Sequence, residues 1–288
     1  MTEMKNLSRR EFLSKSSIGL GSVLLASQIP PDLRGESRTV AKMPFGFQIW
    51  TIREALLADF AGTLKKMSAM GYQTVEMCSP PGYDFKPLLS MTAKEMKKIF
   101  DDNGLSCVSC HYGMKELREN LNERIAFALE VGQTQMILSS FGLPQKATLD
   151  DWKKAADELN EIGSKAKKGG IQMGFHNHNT EFGMLEGQII YDVLMKAFDP
   201  ELIRMQFQVA VITMGYKASD YFNKYPGRFI SAHLADYAAD KKTSVPVGKG
   251  IVNWPEFFAA LDKGGVKNIF AEIPEENFKE SADFLKSI

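Results

Sequence analysis

The chain has 288 residues, of which 44% are hydrophobic and 24% are charged, and its 35 basic residues balance 35 acidic ones. This composition is ordinary for a globular protein. A net charge of zero argues against a nucleic-acid partner, which usually requires a basic face, and against attraction to an anionic membrane surface.

The first part of the chain has the pattern of an export signal. Arg9 and Arg10 precede an apolar run of small residues from Ile18 to Ala26. The run is shorter than the roughly 20 residues of a membrane span, and the segment resembles a twin-arginine signal more than an amphipathic surface helix. We therefore expect a periplasmic protein with no stable membrane span. Its predicted segments are a signal over residues 1–27, a linker over 28–43 and a folded domain over 44–288.

From Pro44 onward, short apolar runs alternate with longer stretches in which apolar residues recur every three to four positions. The short runs are typical of buried strands, and the longer stretches are typical of amphipathic helices. Several predicted helices end at a glycine, such as Gly71 and Gly132, just before the next strand. The predicted strands are Phe45–Trp50, Thr74–Cys78, Ser106–His111, Gln135–Ser139, Gln172–His176, Arg204–Val209, Phe229–Leu234 and Asn268–Ile273.

Eight strand–helix repeats predict an α/β fold with a parallel sheet, and eight units suit closure into a single (β/α)8 barrel. An open doubly wound sheet is the alternative, but no glycine-rich dinucleotide motif follows the first strand. Cys78, Cys107 and Cys110 lie in apolar runs. We expect them to be buried and unreactive, although the last two have the spacing of a redox pair.

Polar side chains collect at the carboxyl ends of the predicted strands, where the barrel fold places active sites. All four histidines of the chain fall there. Imidazole and carboxylate together suit a divalent transition metal. Such a metal polarises a carbonyl, and a carboxylate beside it can abstract the neighbouring proton. The strand-end residues are Glu76, His111, His176, His178, Gln208, His233 and Glu272.

These residues divide into three predicted roles. We expect a divalent metal (Zn, Mn or Co), one per chain, with the ligands His176, Gln208, His233 and Glu272. Glu272 is also the predicted base, and His178 is the second predicted catalytic residue. A small sugar substrate is expected to contact Trp50, Glu76, His111 and Lys249. Three of these residues also have an alternative to substrate contact. Trp50 could pack under the first loop, Glu76 could support neighbouring side chains, and Lys249 could be a solvated surface charge.

The motifs around these residues resemble the sugar phosphate isomerase/epimerase family, which has a xylose-isomerase-like TIM barrel. Residues 174–178, Gly-Phe-His-Asn-His, are similar to its fifth-strand signature, and residues 233–236, His-Leu-Ala-Asp, to its seventh-strand block. Residues 247–250, with Trp254, are similar to its loop before the seventh helix. The resemblance implies metal ligation by His176, His233 and Glu272. It also implies proton abstraction next to the carbonyl of a (keto-)sugar or glycoside.

Three positions depart from the family pattern. Gln208 replaces a metal-binding aspartate, Ala235 replaces a lysine, and His176 replaces a glutamate. With fewer anionic ligands, the site favours Zn²⁺ or Co²⁺. Without a second glutamate, it favours a reaction that uses one base. The alternatives to an isomerase or epimerase are a keto-sugar lyase or hydratase, a non-catalytic carbohydrate-binding barrel and a nuclease, against which the zero net charge counts. The sequence is compatible with a homo-oligomer.

Overall fold

The structure is a computed structural model that describes residues 43–288. The predicted signal and nearly all of the predicted linker lie outside the described residues. Among the helices of the described part, none is long and apolar enough to cross a bilayer. The strands are β1 Phe45–Gln48, β2 Thr74–Cys78, β3 Ser106–Gly113, β4 Gln135–Ser140, β5 Gln172–His176, β6 Met184–Leu185, β7 Gln188–Ile189, β8 Ile203–Gln208, β9 Phe229–Leu234, β10 Asp236–Tyr237, β11 Ser244–Val245 and β12 Asn268–Ala271.

Eight of these strands close a barrel in the neighbour order β1-β12-β9-β8-β5-β4-β3-β2, and every pairing within it is parallel. The strands β6 and β7 form a separate antiparallel pair, as do β10 and β11. The predicted (β/α)8 barrel is thus confirmed. Its helices are α1 Arg53–Ala58, α2 Phe60–Met70, α3 Ala93–Asp102, α4 Met114–Val131, α5 Leu149–Lys168, α6 Ile190–Ala197, α7 Ala218–Lys224, α8 Trp254–Gly264 and α9 Phe278–Lys286.

The helix ends follow the local sequence. Thr92 and Thr148 each accept a hydrogen bond from the backbone of the third helical residue, which closes a capping box at the start of α3 and of α5. Gly71 and Gly132 adopt left-handed backbone angles, with φ of 103° and 100°, at the ends of α2 and α4. The glycine stops predicted at these two positions are confirmed, and each turns the chain toward the next barrel strand.

The first strand is shorter than the sequence predicts. It ends at Gln48, and residues Trp50–Ile52 form a 3-10 turn. The reason is local, because the Gln48 side chain accepts a hydrogen bond from the Trp50 backbone N–H at 2.6 Å. Trp50 therefore lies on the loop that follows the strand.

Alternation along β8 separates the core around the barrel from its interior. Phe207 is fully buried and packs outward, with its ring centroid 5.5 Å from Tyr221 and 5.8 Å from Phe222. Gln206 and Gln208 point to the opposite face, into the barrel. Burial of a phenylalanine side chain stabilises a fold by about 1.5–3 kcal/mol. A register shift of one residue would bury both glutamines in the aromatic layer. The packing of Phe207 against Tyr221 and Phe222 therefore favours one register of β8.

The three cysteines are free and buried. Burial raises the pKa of the Cys107 thiol to about 12, although a hydrogen bond from Gln133 works in the opposite direction. Burial also raises the pKa of Cys110 well above its usual range. The thiolate is the reactive form, so the prediction of buried, unreactive cysteines is confirmed.

Candidate active site

The interior of the barrel holds a polar network, whereas such barrels are usually filled by branched aliphatic side chains. Glu76 on β2, Ser109 on β3, Gln206 on β8 and Ser231 on β9 are fully buried. Ser109 Oγ donates to Glu76 Oε1 at 2.6 Å, and Gln206 Nε2 donates to the same oxygen at 2.7 Å. Gln206 Nε2 also donates to Ser231 Oγ at 2.9 Å. Because buried polar groups are costly without partners, this network favours a single arrangement of these side chains.

Glu76 is a buried anion that lies beneath the histidine rings. Its Oε2 lies 3.1 Å from His111 Nε2 and accepts a short hydrogen bond from His233 Nε2. Burial opposes ionisation of this carboxyl, but His111 and His233 outweigh burial and hold its pKa well below the usual range. The strand continues to Cys78, so Glu76 is not at the strand end, where the sequence placed it. It supports the histidines from beneath.

Gln206 determines which nitrogens of two histidines carry hydrogen. A carboxylate only accepts hydrogen bonds, so the Gln206 atom that faces Glu76 is the amino nitrogen. The amide oxygen therefore faces His111 Nε2 at 2.7 Å and His176 Nδ1 at 2.9 Å, and both nitrogens donate to it. Burial, followed by the neighbouring histidines, lowers the pKa of His176 well below its usual range. His176 is thus neutral and keeps a lone pair on Nε2.

His233 lies between two carboxylates. While Nε2 donates to Glu76, its Nδ1 lies 3.0 Å from Glu272 Oε2. Burial alone would lower the pKa of His233, but Glu76 and Glu272 raise it to about 9. Gln208 Nε2 is 2.5 Å from the same Glu272 oxygen. Three of the four predicted metal ligands therefore meet at one point, and Glu272 is the member of the group that retains some exposure to solvent.

The fourth predicted ligand, His176, lies beside them. Its ring centroid is 4.6 Å from that of His233, and the ring of His111 lies 5.0 Å from that of His176. One ligating atom from each of the three buried histidines lies within 4.8 Å of the others. His111 was predicted to contact substrate, but it lies inside this cluster and is in contact with Glu76 and Gln206. His233 thus belongs to two groups: it meets Glu272 and Gln208 on one side, and it lies in a cluster of three histidines with His176 and His111.

The donor set fits a divalent metal ion. His233 Nδ1 and Glu272 Oε2 are close enough to share one ion, and the ring of His176 lies against that of His233. Gln208 faces Glu272 with its amino nitrogen, while its Oε1 accepts from the backbone N–H of Ala210 at 3.1 Å, so Gln208 would ligate a metal only after its amide rotates. On the far side of the rings, Glu76 holds His233 and Gln206 holds His176. Such outer hydrogen bonds are typical of histidines that ligate metals. Two imidazoles and one carboxylate are also a common set in catalytic zinc sites, which keep a position open for substrate.

His178 lies at the rim of this cluster, two residues beyond the end of β5. Its ring meets that of His176 edge-on at a centroid distance of 4.7 Å. Burial lowers the pKa of His178, and the nearby Glu272 partly offsets this effect. The backbone N–H of His178 donates to the buried Glu181 carboxylate at 2.7 Å. Glu181 therefore fixes the turn that presents His178 to the mouth of the barrel.

Glu181→Gln is expected to raise the free energy of unfolding by about 1–3 kcal/mol at pH 8 and to change it little at pH 4. Burial raises the pKa of the Glu181 carboxyl from 4.5 to about 7 in the folded protein. The folded protein therefore keeps a proton that the unfolded chain releases, and stability falls as the pH rises from about 4.5 to 7. Urea unfolding at both pH values measures the difference. Glu119→Gln, at an exposed position on α4, is the control, and an equal gain at both pH values would contradict the prediction.

The other two predicted contacts lie away from the histidines. Trp50 is partly exposed, with its ring 5.6 Å from Tyr83 and the Arg53 guanidinium 4.3 Å above it. It thus lies on the β1 loop at the barrel mouth, as a residue that stacks on a sugar would. Lys249 is exposed and pairs with Glu280 on α9 at 3.1 Å. The structure gives Lys249 no contact with the histidine cluster.

Sequence reasoning missed Gln206, Ser109 and Ser231. The signal for Gln206 was present, because Gln206 and Gln208 are two apart on one strand and so share a face. The two serines are small residues in apolar runs, and nothing in their local pattern separates them from ordinary strand residues.

The fold is a parallel (β/α)8 barrel with a histidine–carboxylate cluster, and the sequence profile of the xylose isomerase-like TIM barrel matches residues 64–288. The chain belongs to this family. A relative named inosose dehydratase, from Clostridium beijerinckii, is 26% identical over 166 residues, which cover 50% of this chain and 55% of the relative. The chain thus spans about half the length of this relative.

Two solved structures show the same fold. A sugar phosphate isomerase/epimerase from Parabacteroides distasonis superposes with a TM-score of 0.74 at 23% identity, covering 90% of this chain and 98% of that one. The IolI protein, solved with a bound zinc atom, gives a TM-score of 0.61 at 14% identity, covering 85% and 94%. The names inosose dehydratase and sugar phosphate isomerase/epimerase are those of a lyase and an isomerase, in agreement with the enzyme class that the sequence predicts.

Proposed function

We propose that the protein is a divalent-metal-dependent enzyme of isomerase or lyase type that removes a proton next to the carbonyl of a keto sugar. The observation that carries this proposal is the meeting of His233, Glu272 and Gln208 at one point beside His176. Further support comes from a relative named for dehydration of inosose, a keto polyol, and from a solved barrel of the same fold that holds zinc.

A metal ion is proposed at this point because of the local charge. Glu76 and Glu272 bring two carboxylates to a buried space in which His233 contacts both. A divalent cation offsets this negative charge, and His176, His233, Glu272 and Gln208 would hold it. When bound, the cation polarises a carbonyl and makes the adjacent C–H more acidic. The imidazole-rich set favours Zn²⁺ or Co²⁺ over Mg²⁺.

The protein's own residues supply the proton transfer. Glu272 is the carboxylate of the site nearest to solvent, so it can reach a substrate that enters from the mouth. Its carboxylate takes the proton from the carbon beside the carbonyl. In an elimination, the C–H electrons form a C=C bond, the C–O bond of the next carbon breaks, and the proton leaves with the hydroxyl as water. His178, neutral at the rim, orients a sugar hydroxyl.

Elimination is favoured because the site offers one carboxylate base. Glu76 lies beneath the histidines, where Ser109, Gln206, His111 and His233 occupy its oxygens. It cannot reach a substrate without breaking that network. An epimerase usually needs a second base on the opposite face of the carbon, and in this site His178 is the group that could act there. Isomerisation or epimerisation is therefore the second candidate.

The test uses inosose and a panel of keto sugars in D₂O, with protein loaded with Zn²⁺ or Co²⁺ and with chelator-treated protein as the control. Dehydration produces a conjugated enone, seen by ultraviolet absorbance, with loss of the hydroxyl in the NMR spectrum. Epimerisation or isomerisation exchanges the proton for deuterium without loss of water. If no keto sugar reacts or exchanges with the metal-loaded protein, the proposed function is wrong and a carbohydrate-binding barrel replaces it.

We further propose that the protein acts in the cell envelope. The support is the sequence pattern of Arg9 and Arg10 followed by the apolar run from Ile18 to Ala26. Replacing both arginines by lysine is expected to leave the protein in the cytoplasmic fraction of a host with a twin-arginine pathway. Equal periplasmic recovery of both forms would contradict this proposal.

A further inference from the structure

A groove of about 660 Å³ opens at the rim of the site, and His178 is the one lining residue that the proposed chemistry uses. One wall comes from the segment between β4 and α5, including Leu143 and Pro144. The other comes from the β6–β7 hairpin, with Met184 and Leu185. His178 lies at its inner end, where its ring meets that of the proposed ligand His176. The groove is therefore continuous with the cluster.

One aromatic side chain of the groove, Trp152, is held by the barrel. Trp152 lines it and is almost fully buried. The Trp152 ring packs edge-on against Phe141 at a centroid distance of 6.0 Å, and Phe141 stacks on Phe175 of β5 at 4.9 Å. A row of aromatic side chains thus connects the groove to a barrel strand. A surface supported in this way keeps its shape when a ligand binds.

The most exposed large hydrophobic side chain of the described residues lies on this groove. Met184 is 66% exposed, and Leu185 beside it is half-buried. Methionine adapts its shape and makes favourable contacts with aromatic rings. An apolar surface beside a polar active site is typical of a region that binds part of a ligand.

The described residues that line the groove include neither lysine nor arginine, and the ionisable side chains among them are His178 and Glu181. A phosphate group placed there would have no cationic partner, so the chemistry of the groove excludes a phosphorylated end of a sugar.

We propose that this groove binds the uncharged aromatic aglycone of a glycoside whose sugar ring lies at the histidine–carboxylate cluster. The inference rests on the proposed function for the position of the sugar. It narrows the substrate class from free sugars to aryl glycosides and their keto derivatives. It is supported by the contact of His178 with His176, by the supported Trp152 ring and the exposed Met184 in the lining, and by the absence of lysine and arginine from the described lining residues.

The experiment compares matched pairs of phenyl and methyl β-glycosides of glucose, galactose and xylose by titration calorimetry on the full chain. The phenyl member of at least one pair is expected to bind about tenfold more tightly, because only it buries an aromatic ring in the groove. Met184→Lys is expected to reduce this preference to about onefold. Leu129→Lys is the matched control, since Leu129 is a 49% exposed hydrophobic residue on α4, outside the groove, and it should preserve the preference.

Equal affinities within every pair, or no measurable binding of any phenyl glycoside, would overturn the groove proposal. A preference that survives in Met184→Lys would also overturn it. Metal content and keto-sugar turnover, measured on the same preparations, separate this result from the fate of the proposed function. If the protein turns over keto sugars but shows no phenyl preference, the groove proposal is wrong and the proposed function stands. If the protein shows a phenyl preference but has neither metal nor turnover, the proposed function is wrong and the groove still binds aromatic groups.

Discussion

Glu272→Gln is expected to lower kcat for the keto sugar by about 10³-fold while the protein stays folded. The substitution keeps the size of the side chain but removes the carboxylate that takes the proton. It also weakens the proposed metal site, because Glu272 Oε2 lies 3.0 Å from His233 Nδ1 and 2.5 Å from Gln208 Nε2. The assay is therefore run with excess Zn²⁺ or Co²⁺, and the bound metal is measured in the same samples, so that loss of the base is separated from loss of the metal.

The matched control for this variant is Glu280→Gln. Glu280 is an exposed glutamate that pairs with Lys249 on the outside of the barrel, and its replacement should leave kcat within twofold of the wild-type value. A Glu272→Gln variant that retains metal and more than a tenth of the wild-type kcat would show that another group is the base. His178 would then be the next residue to test.

Glu76→Gln is expected to weaken metal binding by about 10–100-fold and to lower the free energy of unfolding by about 3 kcal/mol. Ser109, Gln206 and His233 donate to the Glu76 carboxylate, and His111 Nε2 lies 3.1 Å from it. An amide offers one acceptor and one donor, so at least one of these groups loses its partner. His233 then loses the hydrogen bond that holds its ring toward the site. Competition with a metal-binding dye and urea unfolding measure the two effects.

Glu116→Gln is the control for a buried glutamate. Burial raises the pKa of Glu116, although a hydrogen bond from Ser79 and the charge of Arg124, 3.5 Å away, oppose this. An amide at this position removes a buried carboxylate outside the histidine cluster, so it should leave metal affinity unchanged whatever it costs in stability. If Glu76→Gln and Glu116→Gln behave alike, Glu76 has no special function beneath the histidines.

The fold could be predicted from the sequence because its signals are local and repeated. Each strand–helix unit has its own apolar run and helical periodicity, and the glycine stops at Gly71 and Gly132 mark where helices end. Errors occur where a side chain competes with the strand. The Gln48 side chain binds the backbone N–H of Trp50, and no periodicity in the sequence reveals that contact.

The site could be predicted only as a set of strand-end residues. The positions of His176, His233, Glu272 and Gln208 followed from the barrel topology. Their partners did not, because the contacts join residues far apart in the chain, such as Gln206 with Glu76 and His111. The depth of a side chain within a barrel depends on strand stagger, which a sequence pattern does not encode. For this reason His111 was assigned to substrate, and for Glu76 contact with substrate and support of neighbouring side chains both stayed open.

The measurement that tests the central claim most directly is the metal content of the protein, purified without chelator, by elemental mass spectrometry. The wild-type protein is expected to hold about one equivalent of Zn, Mn or Co, and the Glu272→Ala and His233→Ala variants are expected to lose it. Absence of metal from the wild-type protein, together with no binding of added Zn²⁺ or Co²⁺ in calorimetry, would contradict the account. The barrel would then be a carbohydrate-binding protein without metal chemistry.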